Sequence, residues 1–250
     1  MAIKLPTTKL PAATQDPQNL IIYGLPKIGK TTVLSTLDDN LILDFESGSK
    51  YVSALKVEIN SLKDFAEVYK ALKESEHKYK FITIDTVTAL EEFVKPLALK
   101  MYRDTPAGAN YTGDILQAPM GIGYSFQRAA MESIIDKVKS VTDNVIIVGH
   151  VKDKSIISAE GKEVGSVKDF DLTGKAARIF AAKSDAIGFV HRDENSNLCI
   201  NFETGGIASA GARPAHLANK DIIVNINKRA PATSILSSLF LLVLGSNLTA

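Results

Sequence analysis

The chain has 250 residues, with 29 Lys and Arg against 28 Asp and Glu, a formal charge of +1 and a hydrophobic fraction of 45%. These values are ordinary for a globular domain and exclude histone-like or polybasic binding of nucleic acid over the whole surface. The one cysteine, Cys199, excludes an intramolecular disulfide, so we expect a reducing compartment such as the cytoplasm.

The two ends of the chain differ from its middle. Residues 1–18 carry three prolines and no apolar stretch, which predicts an extended arm without a secretory signal. The longest apolar run, residues 235–244, is much shorter than the roughly 20 residues of a membrane-spanning helix. We therefore expect one domain over residues 19–230, an apolar tail over 231–250, and no contact with a membrane.

Between arm and tail, short apolar runs alternate with amphipathic stretches. The predicted strands are residues 19–23, 41–45, 55–59, 81–85, 145–150, 186–191, 198–202 and 221–226. The predicted helices are residues 30–37, 61–73, 87–102 with a break at Pro96, 126–140 and 174–182. Residues 104–125 read as a long loop and 151–169 as a polar, Lys-rich segment. This order predicts an α/β fold with a mainly parallel sheet flanked by helices, plus a C-terminal β-hairpin region.

The strongest motif, GLPKIGKT at residues 24–31, matches G-x-x-x-x-G-K-[ST] between a predicted strand and a predicted helix. Its glycines allow successive N–H groups to face phosphate oxygens, and the helix adds the positive end of its dipole. Lys30 is predicted to reach the β- and γ-phosphates of ATP, and Thr31 to bind Mg²⁺. A glycine turn with an exposed lysine is the alternative. The predicted nucleotide contacts are Gly24, Leu25, Pro26, Lys27, Ile28, Gly29, Lys30, Thr31, Thr32 and Asp85.

Acidic residues follow two of the predicted strands. Asp85 ends FITID and is predicted to hold Mg²⁺, or to cap the next helix, which is compatible with that role; Thr86 beside it is expected to help order water. The strand LILDFES offers Asp44 and Glu46 on one face. Glu46 lies beyond the strand's carboxyl end, where ligands bind, and is favoured as the base for an attacking water. Asp44 is the competitor or a structural acid, and a solvated carboxylate is the alternative for Glu46.

A histidine ends the strand VIIVGH at the same predicted edge of the sheet. His150 is predicted to contact the γ-phosphate and to report its presence to the segment that follows. The alternative is a polar strand end with a purely structural hydrogen bond.

Together, GLPKIGKTT, LILDFESG, ITIDTVTAL and VIIVGHVKDK resemble the RecA-like ATPases, and most of all the short phage recombinases that act as single-strand annealing proteins. The resemblance runs from about residue 19 to 226 and includes MGIGYS at 120–125. It implies a RecA-like core using ATP and Mg²⁺, with Glu46 as the catalytic glutamate and His150 as the γ-phosphate sensor. It also implies a phage protein in the host cytoplasm. Ser47 and Gly48 stand where that group has a glycine pair, and Lys27 where small residues are commoner.

The same resemblance places DNA-binding loops at residues 103–123 and 151–169. Single strands are usually held by positive grooves with aromatic platforms. The loop 103–125, which includes the first region, offers Arg103, Tyr111 and Tyr124. The second region offers Lys152, Lys154, Lys162 and Lys168 against four acidic residues. A solvated hairpin is therefore the alternative for the second region. The implied partners are single-stranded DNA, further copies of the chain in a ring or filament, and, as a further candidate, a single-strand-binding protein.

RecA-like subunits often complete the ATP site with a basic residue of a neighbour, which can add orders of magnitude to the rate. Arg213 in AGARPAHL is favoured as a catalytic residue of this kind, because the phage group has a similar A-G-x-R stretch. A solvated loop arginine is the alternative. The competing candidates are Lys220, Lys228 and Arg229. The arm 1–18 is expected either to add a strand to a neighbour or to form a disordered tail.

The resulting hypothesis is an oligomeric, DNA-stimulated ATPase that binds single-stranded DNA and promotes annealing and recombination. The alternatives are a helicase loader or translocation motor of the same fold, and an ATP-gated interaction module with little hydrolysis. A nucleotide kinase is disfavoured, because the arginines do not cluster into a lid.

Overall fold

The computed structural model describes residues 7–8, 16–158 and 161–224. The predicted tail 231–250, Lys228 and Arg229 lie outside the described residues, as does most of the arm 1–18 and the end of the predicted strand 221–226.

The described residues contain ten strands in one sheet. The strands are β1 (Asn19–Gly24), β2 (Asn40–Asp44), β3 (Leu55–Glu58), β4 (Phe81–Asp85), β5 (Val145–Ile157), β6 (Glu163–Phe170), β7 (Ala186–Arg192), β8 (Leu198–Asn201), β9 (Gly211–Ala212) and β10 (Asp221–Ile223). Parallel strands run in the order β3-β2-β4-β5-β1-β7, and antiparallel β8 and β10 extend the β7 edge. The predicted mainly parallel sheet and the β7–β8 hairpin are confirmed.

Six α-helices connect these strands within the described residues. They are α1 (Lys30–Leu34), α2 (Leu62–Glu74), α3 (Val87–Phe93), α4 (Lys95–Arg103), α5 (Ile122–Lys139) and α6 (Ala176–Lys183). The Ser61 hydroxyl accepts a hydrogen bond from the Asp64 N–H and caps α2. Pro96 lies in the first turn of α4 and the helical stretch is divided before it, as predicted.

Three boundaries differ from the predictions. Helix α1 ends at Leu34, earlier than expected. The expected loop 104–125 contains two 3₁₀ turns, Ile115–Gln117 and Pro119–Gly121, and α5 begins at Ile122 because Gly121 takes the left-handed conformation just before it. Strand β5 continues past His150 to Ile157 because it pairs with β6 in a long antiparallel hairpin, here named the β5–β6 hairpin.

The core lies on both faces of the sheet. Strand β1 divides its side chains between them: Ile21 and Tyr23 pack into the larger cluster, and Leu20 and Ile22 into the smaller one beside α1. This is the period-two alternation of a strand buried on both faces. The buried strands fix one edge of the sheet, at which the carboxyl ends of β1, β2 and β4 meet His150, the last residue of β5 in the parallel sheet.

Within the described residues, no helix combines the length and the apolar character needed to cross a membrane.

Candidate nucleotide-binding site

The loop after β1 has the backbone of a phosphate cradle. A side chain on Gly24 would meet the carbonyl oxygen of Val190 at 2.6 Å, so only glycine fits at this strand end. Lys27 and Gly29 take positive φ angles of 63° and 116°. Such turns point backbone N–H groups toward one concave side, where they bind anions. The residues of the sequence motif therefore adopt the backbone conformation of a phosphate-binding loop.

Lys30 is folded into this loop. Its Nζ donates hydrogen bonds to the carbonyl oxygens of Gly24 at 3.0 Å and Leu25 at 2.9 Å, and the residue is only 7% exposed. Burial lowers the pKa of Lys30, while the charges of Asp85 and Glu46 oppose that shift. The alternative of a glycine turn with an exposed lysine is wrong, since the ammonium is already held within the loop.

The side-chain oxygens of Thr31 and Asp85 lie side by side, where both could bind a metal ion. The Thr31 hydroxyl donates to Asp85 Oδ2 at 2.7 Å. Burial raises the pKa of Asp85, and the charges of Glu46 and Asp44 raise it further, against the Thr31 hydrogen bond and the Lys30 charge. A buried carboxylate beside other carboxylates and a hydroxyl suits a hard dication. These residues therefore fit Mg²⁺, and Thr86, not Asp85, caps α3 through its hydroxyl.

Glu46 is fixed by two polar neighbours. Its Oε1 accepts hydrogen bonds from the Thr86 hydroxyl and from His150 Nε2, the latter at 2.8 Å. The carboxylate thus lies between Thr86, just after β4, and His150 within β5, and Oε2 takes part in neither bond. A carboxylate oriented in this way can accept a proton from a water on its other oxygen.

Asp44 has a different environment from Glu46. It is 2% exposed and accepts bonds from the N–H groups of Glu46, Gly48 and Ser49 and from the Ser49 hydroxyl. Burial alone would raise the pKa of Asp44, but these hydrogen bonds outweigh it and hold the pKa below its usual value. Asp44 is therefore the structural acid of the two, and it fixes the turn that carries Glu46. Ser47 within that turn has a φ of 56°, a conformation that favours glycine.

His150 joins the site to the β5–β6 hairpin. Its N–H donates to the Thr88 hydroxyl at 3.2 Å, and its carbonyl accepts from the Asp171 N–H at 2.9 Å. The next residue, Val151, begins the pairing with Phe170. Gly149 lies directly against the Phe170 ring, where a Cβ would approach to 1.9 Å. Histidine and hairpin base are therefore packed as one continuous structure.

A cavity of about 600 Å³ opens over these groups. Besides the phosphate loop and the acids, its lining includes Tyr51 and Val52, and Tyr51 is fully exposed. Sequence reasoning missed Tyr51, which lies in a short 3₁₀ turn, Ser49–Tyr51, without a periodic pattern. Its position offers a flat aromatic face at the open side of the cavity.

Arg213 lies away from this cavity. It follows β9, and its guanidinium bonds Asp185 Oδ1 and the Ala182 carbonyl, both at 3.1 Å. Asp185 precedes β7, at the amino end of the parallel strands, opposite the phosphate loop. Arg213 therefore does not join its own chain's site; a role at a neighbour's site stays a prediction.

The two predicted DNA regions are more ordered than loops. Arg103 Nε donates to the Tyr111 carbonyl at 2.7 Å, the Tyr111 hydroxyl donates to the Asp114 carbonyl, and Tyr124 lies in α5. On the hairpin, three of the predicted lysines pair with acids: Lys152 with Asp171, Lys154 with Asp169 and Lys168 with Asp153.

A model of the family described as an AAA domain matches residues 16–223. The chain belongs to the AAA-domain family. This membership places the chain among the P-loop nucleoside triphosphatases and indicates nucleotide binding and ATPase activity, usually with Mg²⁺. The mixed α/β fold of this AAA-domain protein, with its mostly parallel central sheet, agrees with that class. A comparison with curated proteins finds no match.

Proposed function

We propose that this AAA-domain protein is a RecA-like ATPase in which Glu46 activates the attacking water and His150 senses the γ-phosphate. The observation that carries the proposal is the position of the Glu46 carboxylate, bonded to Thr86 and His150 beside Lys30 and the Thr31–Asp85 pair. A positioned base next to a phosphate loop is the arrangement that hydrolysis of ATP requires.

In this mechanism the residues of the chain orient and stabilise. Lys30 exchanges its hydrogen bonds to the loop carbonyls for hydrogen bonds to the β- and γ-phosphates. Its positive charge attracts the phosphates more strongly in a buried site than it would in water. Thr31 and Asp85 would hold Mg²⁺, and the bound ion would supply positive charge next to the phosphate oxygens. Glu46 takes a proton from the attacking water through its carboxylate, while Thr86 and His150 keep that carboxylate in place.

The same histidine connects hydrolysis with binding. His150 has a γ-phosphate to contact in the ATP state and none in the ADP state, and only such a difference can shift the hairpin behind it. We assign the β5–β6 hairpin, together with residues 103–123, to single-stranded DNA, whose annealing or recombination the protein would promote. Lys154 and Lys168 would exchange their acidic partners for phosphates, and Lys162 would add a further phosphate contact.

Assembly is part of the same proposal. Arg213 is 65% exposed, and its side chain can reach a neighbouring subunit if the bonds to Asp185 and Ala182 open. A ring or filament in which this edge of one subunit faces the phosphate-loop edge of the next would bring Arg213 to an ATP site. A single-strand-binding protein is a further proposed partner.

The hairpin also favours a second candidate function, an ATP-gated protein-interaction module. Its outer part exposes Ile156, Ile157 and Val164, the last two by 57% and 64%, while its lysines are largely neutralised by acids. Exposed apolar side chains of this kind suit a protein partner better than a phosphate backbone.

One experiment separates these candidates: the steady-state ATPase rate with and without single-stranded DNA. The annealing proposal expects clear hydrolysis that DNA stimulates at low salt. Clear hydrolysis that DNA leaves unchanged would contradict the nucleic-acid part. Little or no hydrolysis in either condition would contradict the catalytic role of Glu46 and favour the interaction module.

A further inference from the structure

The antiparallel end of the sheet holds a second group of polar side chains, separate from the nucleotide site. His191 ends β7, Cys199 lies directly opposite it on β8, and Asp221 begins β10. His191 Nε2 meets the two carboxylate oxygens of Asp221 at 2.8 and 3.0 Å. One donor atom from each of the three residues lies within 4.8 Å of the other two.

We propose that His191, Cys199 and Asp221 form a binding site for a divalent transition metal, with Zn²⁺ the best match. Imidazole nitrogen, thiolate sulfur and carboxylate oxygen are the three donor types that Zn²⁺ takes, whereas Mg²⁺ avoids sulfur. Three protein ligands leave a fourth tetrahedral position, and the half-buried side chains of His191 and Asp221 leave that position open to water.

The distances suit a metal after small side-chain rotations. Zinc bonds of about 2.0–2.3 Å place tetrahedral donors roughly 3.3–3.6 Å apart. The histidine–aspartate pair at 2.8 Å would have to open slightly, and the thiol, within 4.8 Å, would have to close by about 1 Å. Because all three residues stand on paired strands, their backbones already hold this arrangement.

Metal binding at this site has to displace a proton from the thiol. Burial raises the pKa of Cys199 to about 11, and the charges of Asp221 and Asp193 contribute. The thiol is therefore protonated at neutral pH when no cation is near. A bound dication reverses the local electrostatics, favours the thiolate and uses the Asp221 carboxylate as a ligand. Metal binding would release the thiol proton.

The site also has a structural consequence. The Leu198 side chain, next to Cys199, packs beside Gly29 of the phosphate loop, and Val190, next to His191, packs against Gly24. A metal bound by residues of β7, β8 and β10 would cross-link these strands. It would thereby stabilise the residues that pack against the phosphate loop, without contacting the nucleotide. We therefore expect Zn²⁺ to raise the Tm of the protein by mass action.

The test is a Co²⁺ titration of the full chain after treatment with a chelator, without Mg²⁺ or nucleotide. We expect one equivalent to produce a thiolate-to-cobalt charge-transfer absorption, and Zn²⁺ to displace it. Cys199→Ser should lose the absorption. His191→Ala and Asp221→Asn should keep some sulfur ligation but lose at least about tenfold in Zn²⁺ affinity, as even changes behind a ligand do.

Two controls separate this site from others in the chain. His77 pairs with Asp39 at the same 2.8 Å but without a nearby sulfur, so His77→Ala should leave the cobalt spectrum unchanged. Asp85→Asn tests for cobalt at the nucleotide site and should also leave it unchanged. No charge-transfer absorption in the wild type, or one that survives in Cys199→Ser, would overturn the proposal. If Cys199→Ser does not fold, unchanged Zn²⁺ affinity in His191→Ala and Asp221→Asn would overturn it equally.

Discussion

At the carboxyl edge of the sheet, Lys30 and Asp85 are both 7% exposed and are held by the phosphate loop and by Thr31. On the β5–β6 hairpin, the side chains of Lys154 and Lys168 are 61% and 43% exposed, and each pairs with an acid on the opposite strand. Buried ionisable groups are costly and are kept in place by specific partners, whereas exposed ion pairs are worth little and exchange easily. The first region is therefore preorganised for one ligand, and the second is free to change partners.

The largest effect should come from the phosphate loop. Lys30→Ala removes the buried charge that meets the β- and γ-phosphates, and we expect tight ATP binding to be lost. Equilibrium binding of a fluorescent ATP analogue measures this, with exposed Lys50→Ala as the control. Wild-type affinity in Lys30→Ala would mean that the loop is only a turn.

Glu46→Gln should separate binding from chemistry. The amide keeps the size of the side chain but cannot take a proton, so ATP binding should persist while turnover falls about 10²–10⁴-fold. Single-turnover hydrolysis measures the chemical step directly, and Glu58→Gln on the neighbouring strand is the matched control. A loss of only a few-fold would remove Glu46 as the base.

A smaller effect, on stability, is expected at Asp44. Asp44→Asn weakens a buried acceptor of several hydrogen bonds, and the free energy of unfolding should fall by about 1–3 kcal/mol at neutral pH. Because the pKa of Asp44 is lowered in the folded chain, its contribution is present above the unfolded pKa of about 3.9 and is lost as pH falls through the folded value. Urea unfolding at pH 7 and in acid should show the difference from wild type shrinking, with exposed Asp38→Asn as the control. A difference that does not change with pH would contradict this role.

Substitutions on the β5–β6 hairpin should have the smallest effect on the free energy of unfolding and a larger effect on DNA binding. Replacing both Lys154 and Lys168 by Gln should change the free energy of unfolding by less than about 2 kcal/mol, since each ion pair contributes at most about 1 kcal/mol. It should lower affinity for single-stranded DNA and reduce the salt slope of log Kobs by roughly 1.4. The control replaces Lys63 and Lys70, which form similar pairs on α2. Unchanged DNA affinity would favour the protein-interaction candidate.

The two regions also differed in how well the sequence predicted them. The strand ends and the phosphate loop were predictable because a buried parallel sheet places Gly24, Asp85 and His150 at one edge by register. The different roles of Asp44 and Glu46 were not predictable, because they depend on which of the two carboxylates accepts hydrogen bonds from the backbone of the following turn. Tyr51 and the start of α5 escaped prediction, since a single 3₁₀ turn and a left-handed glycine leave no periodic signal. The hairpin's ion pairs depend on cross-strand register, which polar residues do not encode.

The central claim is that His150 connects the nucleotide with the hairpin, and the affinity for single-stranded DNA in two nucleotide states tests it most directly. At one fixed salt concentration, the wild type should bind DNA more tightly with a non-hydrolysable ATP analogue than with ADP. His150→Ala should abolish that difference while ATP affinity stays near wild type, and His77→Ala, which removes a histidine–acid pair of the same 2.8 Å length away from the cavity, should preserve it. Equal DNA affinity of the wild type in both states, or a full difference in His150→Ala, would contradict the account.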